Sequence, residues 1–234
     1  MYMSKRTEAD DITSVYNTLR KRISQHYYVN NPHLNQKALA DEFDVSRTPI
    51  IAALHMLVSE GIVDKVSNRG FFVHVPTLQE VIDLFVVRES FERVFAADVA
   101  KHATDEEINN LYAIFEPMRE KIAGNEKCDS QMTYKIDIAF HSAMYSLCSN
   151  SLLKRFNDTI YVIQNSFIIG LLRQPLDTYN EHLEILDALK ARDVQRAEEA
   201  ARLHIANTRE CLKTIGKQME SMGIDINQLW MKGV

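Results

Sequence analysis

Apolar positions recur at intervals of three and four along most of this 234-residue chain, and only seven glycines and five prolines interrupt them. That periodicity predicts a mainly α protein. The exception is GIVDKVSNRGFFVHVP, residues 61–76, where two β-prone runs, Ile62–Val66 and Phe71–Val75, flank the turn-forming stretch Ser67–Gly70. A small hairpin is expected there. Pro76 closes the block and Thr77 suits the N-cap of the helix that follows, so the sequence predicts one unit over 1–76 and a second over 77–234.

Six helices are predicted after Pro76, over 77–102, 105–123, 128–148, 151–172, 177–191 and 193–216. Thr104 with Glu107 reads as a capping box, Gly124 as a helix end, and CSNS (148–151) and ARD (191–193) as tight turns. Short connections make neighbouring helices antiparallel, which gives an all-helical bundle. The first dozen residues and the tail after Gly216 are the places where fraying is expected.

The N-terminal unit carries a more specific pattern. In LNQKALADEFDVSRTPIIAALHMLVSEGIV, residues 34–63, a short helix directs Leu39, Ala40 and Phe43 inward, breaks at Asp44–Val45, and a second helix starts at Ser46. This is helix-turn-helix spacing. Ser46 caps the second helix in this reading, Arg47, Thr48 and Pro49 fill its first turn, and Ile50, Ala53, Leu54 and Leu57 pin one face. Residues in that first turn are those that reach base edges and phosphates of double-stranded DNA. With the hairpin behind it, the block is a winged helix-turn-helix.

Charge and cysteine content alter this picture little. The net charge is −5, but residues 1–76 carry nine Lys/Arg against eight Asp/Glu, so the acidity lies in the second unit. A local patch, doubled in a homodimer, has to supply DNA affinity. Cys128, Cys148 and Cys211 form no CxxC, which suggests neither a disulfide framework nor a thiolate metal site. No apolar run is long enough to span a membrane and no leader pattern is present, so a cytoplasmic protein without membrane partners is expected.

ALADEFDVSRTPIIAALHMLVSEGIV followed by NRGFFV closely resembles the DNA-binding domain of the GntR transcription regulators over about residues 12–76. The resemblance implies that Arg47 and Thr48 contact operator DNA and that Arg69 and Gly70 sit at the wing tip near the minor groove. Ile51 and Ala52 depart from the family's usual Arg-Glu, and Asn30–Asn31–Pro32–His33 replaces its usual Pro-Gly. Losing an arginine that grips guanine removes roughly 1–3 kcal/mol of discrimination, which implies an unusual or weaker operator preference.

The second unit holds a histidine pattern. Asp137 and His141 lie four apart on one helical face, either as a stabilising pair or as two ligands. His182 and His204 lie eleven residues before and after Asp193, so a hairpin turning at Asp193 brings the two imidazoles to one height. Both fall on inward positions, His204 among Ala197, Ala200 and Ala201. Three nitrogens and one oxygen suit a divalent ion such as zinc or nickel, with room for water or an exogenous ligand. His26, His33, His55 and His102 have no such partners and read as surface or packing residues.

RESFERVFAADVA (88–100), DIAFHSAMYSLCSN (137–150) and EHLEILDALKARDVQRAEEAARLH (181–204) resemble the successive signatures of the FCD domain, the effector domain of FadR-like GntR regulators. The resemblance covers nearly all of 77–216, and the six-helix count is similar to its VanR-type branch. It implies metal ligation by Asp137, His141, His182 and His204, with a small organic carboxylate effector completing the coordination. Arg88 is then either the partner of that carboxylate or half of a salt bridge to Glu89 or Asp98, and Tyr134 and Asn165 are further pocket candidates. Similar proteins mostly release DNA on binding effector, which points to a repressor. The competing reading is a metal-dependent hydrolase, for which the only spare carboxylates are Glu181, expected to point away from the site, and Glu184.

Overall fold

The computed structural model describes residues 7–25, 27–28, 30–155 and 173–225. They divide into two compact units, the first ending at Thr77 and the second starting at Leu78.

In the first unit, helices α1 (Glu8–Ser24), α2 (Gln36–Phe43) and α3 (Arg47–Ser59) pack against a three-stranded antiparallel sheet of β1 (His33–Leu34), β2 (Val63–Val66) and β3 (Gly70–Val73). Helix α1 starts inside the dozen residues expected to fray, because Thr7 and Asp10 form a reciprocal capping box. The predicted hairpin is present with Val66 opposite Gly70, and β1 adds an unforeseen third strand, with Leu34 opposite Phe71. The break between α2 and α3 is made by Asp44, in the left-handed region at φ 52°. Ile50, Ala53, Leu54 and Leu57 of α3 are all fully buried against Val15 and Leu19 of α1, as their spacing requires.

The second unit is a bundle of α4 (Leu78–His102), α5 (Asp105–Ala113), α6 (Glu116–Ala123), α7 (Ser130–Leu147), α8 (Pro175–Lys190) and α9 (Val194–Ser221), with a helical stretch over 151–155 between α7 and α8. Most of the predicted 151–172 helix, including Asn165, lies outside the described residues. The expected helix over 105–123 is in fact two, because Pro117 has no N–H for the Ala113 carbonyl and its ring would collide with it. The break turns Phe115 into the core, where it is 3% exposed. The Thr104–Glu107 capping box forms as predicted, with Glu107 N–H donating to Thr104 Oγ1 at 3.2 Å. Helix α6 does end at Gly124, although Asn125 takes the left-handed conformation there.

Helix α9 does not end at Gly216 but continues through it to Ser221, packing along α4. A Cβ at 216 would overlap Leu78 Cδ2, so glycine leaves room for that leucine methyl. At the other end of this pair, Arg192 in the α8–α9 turn (φ 57°) donates to the carbonyls of Ala100 and Ala103 and reaches Asp105 at 2.6 Å. It thereby satisfies orphan carbonyls at the C-terminus of α4. Arg192→Ala is expected to lower bundle stability by about 1–2 kcal/mol. A fall in the urea midpoint at unchanged slope would register this, and an unaltered midpoint would contradict it.

Candidate metal centre and DNA-reading elements

Asp137 and His141 project from α7, His182 from α8 and His204 from α9. The Asp193 turn places the last two at one height: Asp193 Oδ1 accepts from Arg196 N–H and starts α9 antiparallel to α8. The structure brings all four side chains together, with one donor atom from each lying within 4.8 Å of the others. Those atoms are three Nε2 and one Oδ1. His141 Nε2 and His204 Nε2 are 3.3 Å apart, and Asp137 Oδ1 lies 3.3, 3.7 and 3.9 Å from the Nε2 of His182, His141 and His204.

The imidazoles are almost fully buried, whereas 22% of the Asp137 side chain is accessible, so Asp137 is the member of the cluster nearest solvent. Phe115 and Phe140 flank the His182 ring at centroid distances of 5.0 and 4.9 Å. Two of the remaining ring nitrogens face carboxylates: His204 Nδ1 donates to Glu181 Oε2 at 2.9 Å, and His141 Nδ1 approaches Glu92 Oε2 at 3.3 Å. Glu181, expected to point away, is turned toward the site because the imidazole it serves belongs to the next helix. Glu184 is engaged by Arg196.

The electrostatics follow from burial and these contacts. Burial first, then the neighbouring imidazoles, push His204 down to about 4, so its ring is neutral near pH 7. Burial raises the Glu92 carboxyl, but His141, Arg88 and the Tyr145 hydroxyl outweigh it and hold it at about 2. Glu181 is likewise raised by burial and brought down to about 2 by Arg173, His204 and Asn207. Asp137 is held far below the usual carboxylate range by the three imidazoles, against the effect of burial.

Neutral Nδ1–H tautomers of His141 and His204, with those protons toward the carboxylates, would turn two lone pairs toward each other and toward an ionised Asp137 oxygen. That arrangement is repulsive unless a cation lies between the donors. Bonds of about 2.0–2.1 Å to one zinc ion put neighbouring donors roughly 3 Å apart. The His141–His204 and Asp137–His182 pairs, both at 3.3 Å, come close to that, while Asp137 lies farther from His141 and His204, at 3.7 and 3.9 Å. The buried His182 Nε2, which approaches Asp137 without making a hydrogen bond, fits the same account.

Arg88 is buried and pairs with neither Glu89 nor Asp98. Its Nη2 donates to Glu92 Oε1 at 2.9 Å, while Arg209 takes Glu89 at 2.6 Å and Ser149 and His102 take Asp98. Tyr134 is half-buried, one turn before Asp137 on α7.

In the first unit, Ser46, Arg47 and Thr48 are exposed at the start of α3. Ser46 occupies the N-cap position, but its hydroxyl makes no capping hydrogen bond, contrary to the sequence reading. Arg69 is exposed at the hairpin tip with its guanidinium 5.4 Å from the Phe72 ring centroid. Gly70 follows at φ 96°, a conformation that favours glycine.

A winged helix-turn-helix joined to a helical bundle defines a class, the bacterial transcription regulators with a separate effector unit. Residues 12–73 match the family model of bacterial regulatory proteins of the gntR family, and residues 83–207 match that of the FCD domain. The chain belongs to the FCD-bearing GntR family. It is 27% identical over 222 residues to the galactonate operon transcriptional repressor of Escherichia coli (strain K12), covering 85% of this chain and 95% of that one. It is 26% identical over 204 residues to the HTH-type transcriptional regulator YdhC of Bacillus subtilis (strain 168), covering 86% and 90%. In fold it is similar to a GntR regulator from Rhodococcus sp. RHA1, with a TM-score of 0.65, 21% identity and coverage of 87% and 97%. These relatives are regulators rather than enzymes, so the hydrolase reading is set aside. No helix among the described residues is long and apolar enough to cross a membrane.

Proposed function

We propose that this regulator is a homodimeric repressor, working in the cytoplasm, whose bundle binds a divalent ion, zinc or nickel, together with a small organic carboxylate that modulates operator binding. The observation carrying this reading is the convergence of three Nε2 atoms and one carboxylate oxygen from three helices. Asp137, His141, His182 and His204 would hold the ion, which supplies a Lewis-acidic position for an anionic effector. Charge supports a carboxylate. Asp137, Glu92 and Glu181 set three negative charges against the two guanidiniums of Arg88 and Arg173, so a divalent ion leaves the centre at +1, matched by one carboxylate.

The effector enters on the Asp137 side, past Tyr134; Asn165, the other pocket candidate of the sequence, lies outside the described residues. Arg88 contributes at one remove, by holding Glu92. Residues 1–76 form the DNA reader, in which Ser46, Arg47 and Thr48 face the major groove and Arg69 and Gly70 reach the minor groove. Repression is favoured because the relatives from the galactonate and gluconate operons are repressors. Coupling runs through residues 73–80 into α4, which carries Glu92.

The test is fluorescence anisotropy on an operator enriched from random DNA by the zinc-loaded protein. Carboxylates that raise the thermal midpoint should release the DNA, and a panel of carboxylates without effect on either would defeat the sensing part. Arg47→Ala is expected to weaken operator binding about 5- to 150-fold, the equivalent of roughly 1–3 kcal/mol. An unchanged affinity would move the DNA-reading surface elsewhere.

A further inference from the structure

We propose that Glu92 and Glu181 are positioning residues of the metal centre, each holding the Nδ1 proton of one ligand imidazole while an arginine holds the carboxylate in turn. The proposal rests on the metal reading above and adds residues that the four-ligand pattern does not contain. Two relays result, Arg88–Glu92–His141 and Arg173–Glu181–His204.

Each places a glutamate oxygen beside a ligand imidazole and an arginine behind that glutamate, although their sequences share no spacing. Arg88 and Glu92 lie four apart on α4, whereas Arg173 precedes α8 and Glu181 lies within it. At Glu92 the two carboxylate oxygens divide their work, whereas at Glu181 the oxygen that faces the imidazole also accepts from the arginine. Glu92 Oε1 accepts from Arg88 at 2.9 Å and from the Tyr145 hydroxyl, while the buried Oε2 lies 3.3 Å from His141 Nδ1, close enough to pair though the two make no hydrogen bond in this geometry. Glu181 receives both guanidinium nitrogens of Arg173, at 2.6 and 2.5 Å, and its Oε1 also accepts from Asn207 at 2.7 Å. Its Oε2 takes His204 Nδ1 at 2.9 Å.

A glutamate present only to neutralise an arginine has no need to direct an oxygen at a buried imidazole. One that does so can only accept, which fixes the proton on Nδ1 and aims the Nε2 lone pair at the common point. His182 is held differently, between the rings of Phe115 and Phe140. The carboxylate relays therefore serve the two imidazoles whose Nε2 atoms lie 3.3 Å apart, the pair most in need of orientation.

The experiment compares full-length wild type with E181Q, E92Q and, as a control, E184Q, which lies on α8 but pairs with Arg196. Long-range ¹H–¹⁵N spectra of the metal-free protein report the imidazole tautomers, and competition with a chromogenic chelator reports zinc affinity. Wild type is expected to hold His141 and His204 as Nδ1–H tautomers. E181Q should move His204 toward a mixed population without altering His141, E92Q should do the reverse, and each should weaken zinc binding about 10- to 100-fold. E184Q should match wild type.

E92Q leaves Arg88 buried without its counter-ion and can unfold the bundle, so E181Q, nearer the rim, is the decisive variant. Wild-type tautomers and a Kd within twofold of wild type in folded E181Q would overturn the proposal while leaving the metal reading intact. A wild type that takes up neither zinc nor nickel would overturn both.

Discussion

Replacing His182 and His204 together by alanine is expected to abolish stoichiometric zinc or nickel binding and every response to carboxylates, while DNA affinity survives. Two of the four converging donors are lost, and those left, Asp137 and His141, come from a single helix. At zinc concentrations near 1,000 times Kd, wild type should gain about 4 kcal/mol of stability, and the double variant none. Metal content of tag-free protein, with thermal midpoints before and after chelation, provides the check. A double variant that still retained one ion per chain would refute the ligand assignment. The DNA reader should be spared because Arg47, Thr48 and Arg69 belong to a unit with its own buried core.

Phe140→Ala is expected to destabilise the bundle by about 3–5 kcal/mol, the range for truncating a buried aromatic ring. Phe140 is fully buried and sits edge-on to Phe115 at 5.3 Å and to His182 at 4.9 Å, so the cavity opens beside a ligand imidazole. Urea unfolding should show the loss, and zinc affinity should fall in the same variant as His182 gains freedom. A loss below about 1 kcal/mol would mean that the neighbouring side chains close the gap.

Much of this architecture was legible because it follows from period and spacing. The four inward residues of α3 declare a buried stripe, and Asp44 marks the break before it. The quartet was legible for a related reason: a pair at i, i+4 and a pair symmetric about Asp193 are statements about helical geometry, and the described bundle has that geometry. Glu92 and Glu181 were not legible. Their role depends on which way a side chain leans between two packed helices, and a carboxylate next to a histidine in sequence carries no sign that it serves a histidine of another helix.

The Pro117 break carried a signal, but the apolar period continues across it and masked it. Gly216 misled because glycine is common just past helix ends, whereas here it sits inside one, against a leucine side chain of another helix. Strand β1 is two residues long, too short for alternation to register.

The bare backbone of Gly216 has one more implication. Leu78, whose methyl occupies the volume that any larger residue would claim, is the residue at which the second unit begins. The last turns of α9 thus act as a seat for the root of α4, and an added carbon there would oblige the Leu78 side chain to turn aside.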